Sequence, residues 1–244
     1  MEPVLLVVYV STGAALAAAL GVLPLVGRDE PPAAWLGWAN ALAAGMMLAS
    51  AFALADTRIS PQTWPFALGA TAAIFFVHAT RTLSQTGELR LNLLGEAAPE
   101  YGYEVLLVAS LHSAAEGVAI GAAMATGTPF GIFVAMALAL HNIPEGTLLA
   151  AVFRTRGVPA ASATALAVVS NFGQVLMAVA TFAVVTASPP VLPWTLGFAV
   201  GALAYLVMVD LLPESYGQIG AKSIAFAVIL ALWAFALLHA VFLP

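Results

Sequence analysis

An all-α integral membrane protein of eight transmembrane helices, arranged three, two and three with inverted repeats around a central pair, is the fold this sequence predicts. Three observations predict it. The 244 residues are 62% hydrophobic and 8% charged, with a mean hydropathy of +1.01, and a soluble domain of that composition could not cover its surface with charge. Apolar runs of about 20 residues, long enough to cross a bilayer, recur along the whole length. Two segments also share a pattern: Leu36-x-Trp38-x4-Ala43-x-Gly45 and Leu192-x-Trp194-x4-Ala199-x-Gly201 have the same internal spacing. The chain reads as one transmembrane domain over residues 1–244.

The spans follow in order at residues 4–26, 36–55, 64–83, 103–125, 130–152, 159–187, 193–212 and 222–242. Arg28-Asp29-Glu30-Pro31-Pro32 closes the first. A longer polar connection with Glu88, Arg90, Glu96 and Glu100 follows the third. Gly127-Thr128-Pro129 turns the fourth into the fifth, Ser188-Pro189-Pro190 ends the sixth, and Pro213-Glu214 closes the seventh. The first run has no basic segment before it, so it reads as a span and not as a cleaved leader.

Basic residues set the orientation. With the N-terminus outside, Arg28, Arg81, Arg90, Arg154, Arg156 and Lys222 all fall in cytoplasmic loops and only Arg58 falls outside. Both termini are therefore expected to be extracytoplasmic in a multi-pass cell-membrane protein. The spans that open on the paired pattern then run in opposite directions. Repeats of opposite topology around a polar site at mid-membrane are characteristic of transporters. The net charge of −5 offers no basic surface for nucleic acid, and the absence of cysteine excludes thiolate ligands and disulfides.

The chemistry lies in the central pair. His112-Ser113-Ala114-Ala115-Glu116-Gly117 and His141-Asn142-Ile143-Pro144-Glu145-Gly146 are both His-x-x-x-Glu-Gly, 29 positions apart. Residues i and i+4 share a helix face, so each stretch aims one imidazole and one carboxylate at the same neighbour. If the helices pack together, His112, Glu116, His141 and Glu145 converge as a divalent-metal site, with borderline nitrogens, hard oxygens and two negative charges. A carboxylate at the bilayer centre costs roughly 2.5–3.5 kcal/mol on the lenient insertion scale, and a bound cation offsets it. Pro144 removes the amide that would bond the Leu140 carbonyl and so loosens the helix beside the site. Gly117 and Gly121 form a small-x3-small pair suited to close helix packing.

Around this core, Ser113 and Asn142 sit next to the histidines, while Ser170, Asn171 and Gln174 share one face of the sixth span. They read either as weak ligands and supports of the site or as hydrogen bonds between helices. Asp210 and Glu214 lie at the cytoplasmic end of the seventh span and Asp56 at the outer end of the second, where they could draw cations to the exit and the entrance. His78, one turn inside the third span, reads equally as an exit relay or as packing.

These residues resemble the ZIP family (Zrt-, Irt-like proteins) of divalent metal transporters, over essentially the whole chain. His141-Asn142-Ile143-Pro144-Glu145-Gly146 is similar to the family's fifth-span motif and His112-x-x-x-Glu116-Gly117 to its fourth. Gly201-Ala202-Leu203-Ala204-Tyr205 with Asp210-Leu211-Leu212-Pro213-Glu214 looks like its seventh span, and Ala43-Ala44-Gly45-Met46-Met47-Leu48-Ala49-Ser50 like its second. The resemblance implies carriage of zinc or related metals (iron, manganese, cobalt, cadmium) into the cytoplasm. It also implies a two-metal centre between spans 4, 5 and 6, a homodimer, and an elevator-like motion of the central bundle. Two departures bear on the second metal: Ser113 stands where many members have Asn or Asp, and Gln174 where many bacterial members have Glu. The histidine-rich loop common between spans 3 and 4 is also absent. The rival reading, an intramembrane zinc hydrolase, needs an open zinc position and a general base, but the chain has no His-Glu-x-x-His and no nucleophile beside a base.

Overall fold

Inside a bilayer every backbone N–H and C=O must find a partner within the protein, which leaves a chain this apolar little but helix. The computed structural model describes residues 2–26, 32–56, 63–83 and 101–242, almost all of them helical. Nine α-helices appear among these residues: α1 (Pro3–Leu16), α2 (Ala33–Ala55), α3 (Thr63–Leu83), α4 (Tyr101–Thr126), α5 (Thr128–Arg154), α6 (Ala160–Ser170), α7 (Phe172–Ala187), α8 (Leu192–Leu206) and α9 (Leu212–Phe242). Six helical stretches are long and apolar enough to cross a membrane by length and composition: Pro3–Leu25, Ala34–Ala55, Thr63–Thr80, Thr128–Arg154, Ala160–Ala187 and Pro189–Phe242. Arg28, Arg58, Arg90 and the acidic residues of the connection before α4 lie outside the described residues.

Proline and glycine punctuate the chain as their chemistry requires. Proline opens α1, α5 and α8 within the first two positions, where its missing N–H costs nothing. Gly157 (φ 75) ends α5, and the Val158 amide turns back to the Phe153 carbonyl at 3.1 Å. Gly220 (φ 73, ψ 165) interrupts α9 in a conformation that L-residues avoid.

The helices depart from the expected unbroken runs in three places. The first run winds into a tighter 3-10 form over Ala17–Leu25, which contains Pro24. The seventh widens into a π turn over Val207–Leu211, which carries Asp210. The sixth breaks at Asn171 (φ −82, ψ 2). There the Asn171 side-chain amide takes the Ala167 carbonyl at 3.0 Å, in competition with the backbone. The Asn171 amide shortens its own reach to Val168 O, and the Gln174 amide bonds Asn171 O instead of Ser170 O. The Ser170 carbonyl left over accepts the Ser113 hydroxyl from α4 at 2.8 Å.

The helices pack as two sets. Helices α4, α5, α6 and α7 gather with α1 and its 3-10 extension, while α2, α3, α8 and α9 gather separately; α5 against α2 and α4 against α8 make the main seam between them. Small residues let the backbones touch within each set. A Cβ on Gly146 would strike the Ala18 backbone, on Gly21 the backbone of Ile143 and Thr147, on Gly117 Gln174, and on Gly121 Ala178. In the second set Gly69 meets Trp194, Gly197 meets Phe66, Gly201 meets Ala70, and Gly45 meets Ala231. None of these close approaches crosses the seam.

Gly201→Val is expected to cost about 1–3 kcal/mol, since the new methyls meet the α3 backbone, which cannot rotate away. Gly13→Ala, where a Cβ meets nothing within 4 Å, should leave stability unchanged or higher. Thermal unfolding of both variants in detergent checks the contrast, and equal midpoints would show that the glycine contacts do not hold the sets together.

Candidate metal centre

Helices α4 and α5 lie side by side, and the i, i+4 spacing turns both His/Glu pairs into the gap between them. Glu116 is the hub. Its Oε1 lies 2.8 Å from His141 Nε2 across the gap and 3.4 Å from His112 Nε2 on its own helix. Glu145 stands at the edge, with Oε2 3.9 Å from His141 Nε2. The two imidazoles stack with centroids 5.8 Å apart and planes 9° from parallel. Glu116 and His141 are wholly buried, while His112 and Glu145 keep 11% and 12% of their side chains exposed.

These atoms are close without satisfying one another. Both Glu116 oxygens, both His141 nitrogens, His112 Nε2 and Glu145 Oε2 are buried and meet no hydrogen-bond geometry. The 2.8 Å approach brings the two atoms toward a shared point. One atom each from His112, Glu116 and His141 lies within 4.8 Å of the others. A tetrahedral ion with bonds near 2.0–2.1 Å holds its ligands roughly 3.4 Å apart, so the three atoms need only small rotamer shifts to meet it. Their chemistry, two imidazoles and a carboxylate with a second carboxylate adjacent, suits a borderline divalent metal.

Of the other residues singled out in the sequence, Asn142 donates to the Ala14 carbonyl and to Gln174 Oε1, both at 2.9 Å, which ties α5 to α1 and α7. Ser113, Asn171 and Gln174 are buried next to one another at the α6–α7 break. All three are engaged in the helix contacts described, while Asn142 Oδ1, Asn171 Oδ1 and Gln174 Nε2 retain unused capacity. Asp210, on the π turn, lies within electrostatic reach of His112. Glu214 accepts from Gln218 at 2.8 Å, one turn on. His78 Nδ1 lies 3.1 Å from the Tyr205 hydroxyl and so links α3 to α8. Asp56 caps the end of α2, exposed.

Sequence reasoning missed the part played by the first run. Ala14, Ala18 and Gly21 bring its backbone against Asn142, Ile143 and Gly146 of α5, so it braces the helix segment that carries His141 and Glu145. Their spacing of small residues was the available signal.

The chain is thus a multi-pass helical membrane protein with a buried histidine–carboxylate cluster on adjacent helices. It belongs to the ZIP zinc transporter family, whose profile matches residues 92–241. It is 30% identical over 217 residues to an Arabidopsis thaliana protein provisionally named a zinc transporter, covering 87% of this chain and 35% of that one. It is 34% identical over 112 residues to the zinc transporter GufA of Myxococcus xanthus, covering 46% of this chain and 44% of GufA. The matches thus span about a third and under half of these relatives' lengths.

Proposed function

We propose that this protein carries divalent transition metals, zinc foremost, across the cell membrane into the cytoplasm, with His112, Glu116, His141 and Glu145 alternately open to each side. The observation that carries the reading is Glu116, a wholly buried carboxylate between two imidazoles, 2.8 and 3.4 Å from their nitrogens. A cation supplies the charge and the coordination that the protein does not. The family match and the two relatives named as zinc transporters support transport over hydrolysis.

The same reading takes α4 as a further span and divides Pro189–Phe242 at Gly220 into two, which makes eight. Gly45 and Gly201, which close the paired motif, both serve close helix crossings, in keeping with inverted repeats. The chain works as one transmembrane domain, as a homodimer in the bilayer. Asp56 marks the entrance; Asp210, Glu214 and His78 mark the exit.

Proteoliposomes containing a zinc-sensitive dye test the function: external zinc should enter and be outcompeted in a ranked order by iron, manganese, cobalt or cadmium. Binding without uptake would make the protein a sensor. The orientation has its own check. In a chain with no native cysteine, Asp56→Cys should react with an impermeant thiol reagent from outside and Lys222→Cys only from the cytoplasm; the reverse would invert the topology.

A further inference from the structure

A cavity of about 560 Å³ lies between α2, α5 and α9, on the far side of the α5 turn that carries Glu145. Trp38 and Met46 of α2, Leu140 and Pro144 of α5, and Leu230 and Ala234 of α9 form its walls. Among the described residues no charged side chain lines it. Its one hydroxyl, on Thr147, is engaged by the Ile143 carbonyl at 3.2 Å. A lining this apolar suits an apolar occupant better than an ion or a polar peptide. Its volume lies within the range of roughly 300–1,000 Å³ typical of built small-molecule pockets.

The surroundings identify the occupant. Helices α2, α5 and α9 belong to stretches long and apolar enough to cross a membrane. The groove is continuous with their outward apolar surface, since Trp35, Leu140 and Leu230 on its rim are 44%, 45% and 50% exposed. That surface faces hydrocarbon. We infer that the groove seats a single lipid acyl chain, wedged across the seam between the two helix sets and against the Ile143–Thr147 turn of α5. An acyl chain is slender, wholly apolar, and present at the mouth of the groove at the concentration of the bilayer itself.

Fluorescence quenching tests this without metal, so its outcome is separate from that of the transport reading. Trp64, Trp194 and Trp233 are replaced by Phe, leaving Trp35 and Trp38 as reporters. A second protein keeps only Trp64, which is 78% exposed on α3 and reports ordinary surrounding lipid. Both are reconstituted in phosphatidylcholine with rising fractions of a phosphatidylcholine brominated on one acyl chain. The groove reporters should show a lipid association severalfold tighter than Trp64. Ala234→Phe, which fills the groove, should bring it down to the Trp64 value, and Ala39→Leu serves if that variant fails to fold. Equal association at both sites would reduce the groove to ordinary lipid contact. Groove reporters left unquenched while Trp64 is quenched would mean that protein, such as a second copy of the chain, covers it. Either result overturns the proposal.

Discussion

Metal uptake is expected to vanish when Glu116 is replaced by glutamine, while the protein stays folded and inserted. The change keeps the shape of the side chain in a wholly buried site and removes only its charge and one oxygen ligand. Glu116 approaches both histidines, at 2.8 and 3.4 Å. Loss of a partner that merely orients a ligand costs about 10–100-fold in metal affinity; loss of the hub should exceed that range. His141→Ala, at the other wholly buried member of the cluster, should do the same. Glu145→Gln, at 3.9 Å and partly exposed, should lose less. Zinc titration of the purified variants, with uptake in proteoliposomes, gives the order directly. Wild-type uptake by Glu116→Gln would remove the cluster from the transport path.

The wild-type site should hold one tightly bound metal per chain, and Gln174→Glu should create a second. Glu116 and Glu145 together balance one dication. A second ion toward α7 would meet Ser113, Asn142 and Gln174, all neutral and already bonded to one another or to backbone. Two dications about 4 Å apart repel by ~17 kcal/mol at an effective dielectric near 20, which calls for bridging carboxylates. Gln174 is buried and bonded to Asn142 at 2.9 Å, so a carboxylate at that position would face the same space with the missing charge. Metal content of the purified protein before and after the substitution decides it. Two metals retained by the wild type would show that neutral ligands suffice.

The helical content and the central cluster were legible in the sequence because both rest on local spacing. A carboxylate four residues after a histidine shares its face whatever the tertiary packing, and apolar runs in lipid have few alternatives to helix. The interruptions were not legible. The Asn171 break leaves the Ser170 carbonyl free for Ser113, 57 positions before Ser170, and no short window of sequence contains both. The role of Glu116 as hub depends on which of two similar carboxylates reaches across the gap, and that is set by the relative rotation of α4 and α5. Asp210 reads as a residue at a span end, yet it lies on a π turn within electrostatic reach of His112.

The absence of glycine contacts across the seam has a mechanical consequence. Within each helix set, backbone lies on backbone, and a shift of one helix along another would drive main-chain atoms together. Along the seam the described glycines make no such approach, and each pair of carbon atoms in side-chain contact contributes roughly 0.1–0.2 kcal/mol that a shifted register can recover. Slippage by one helical turn along the seam, about 5.4 Å, would leave these glycine contacts intact. All four cluster residues ride on α4 and α5, in one set; Asp210 is fixed to the other. Such a slip would carry the ligands past a stationary carboxylate, so that the same ion has a different neighbour at each end of the stroke.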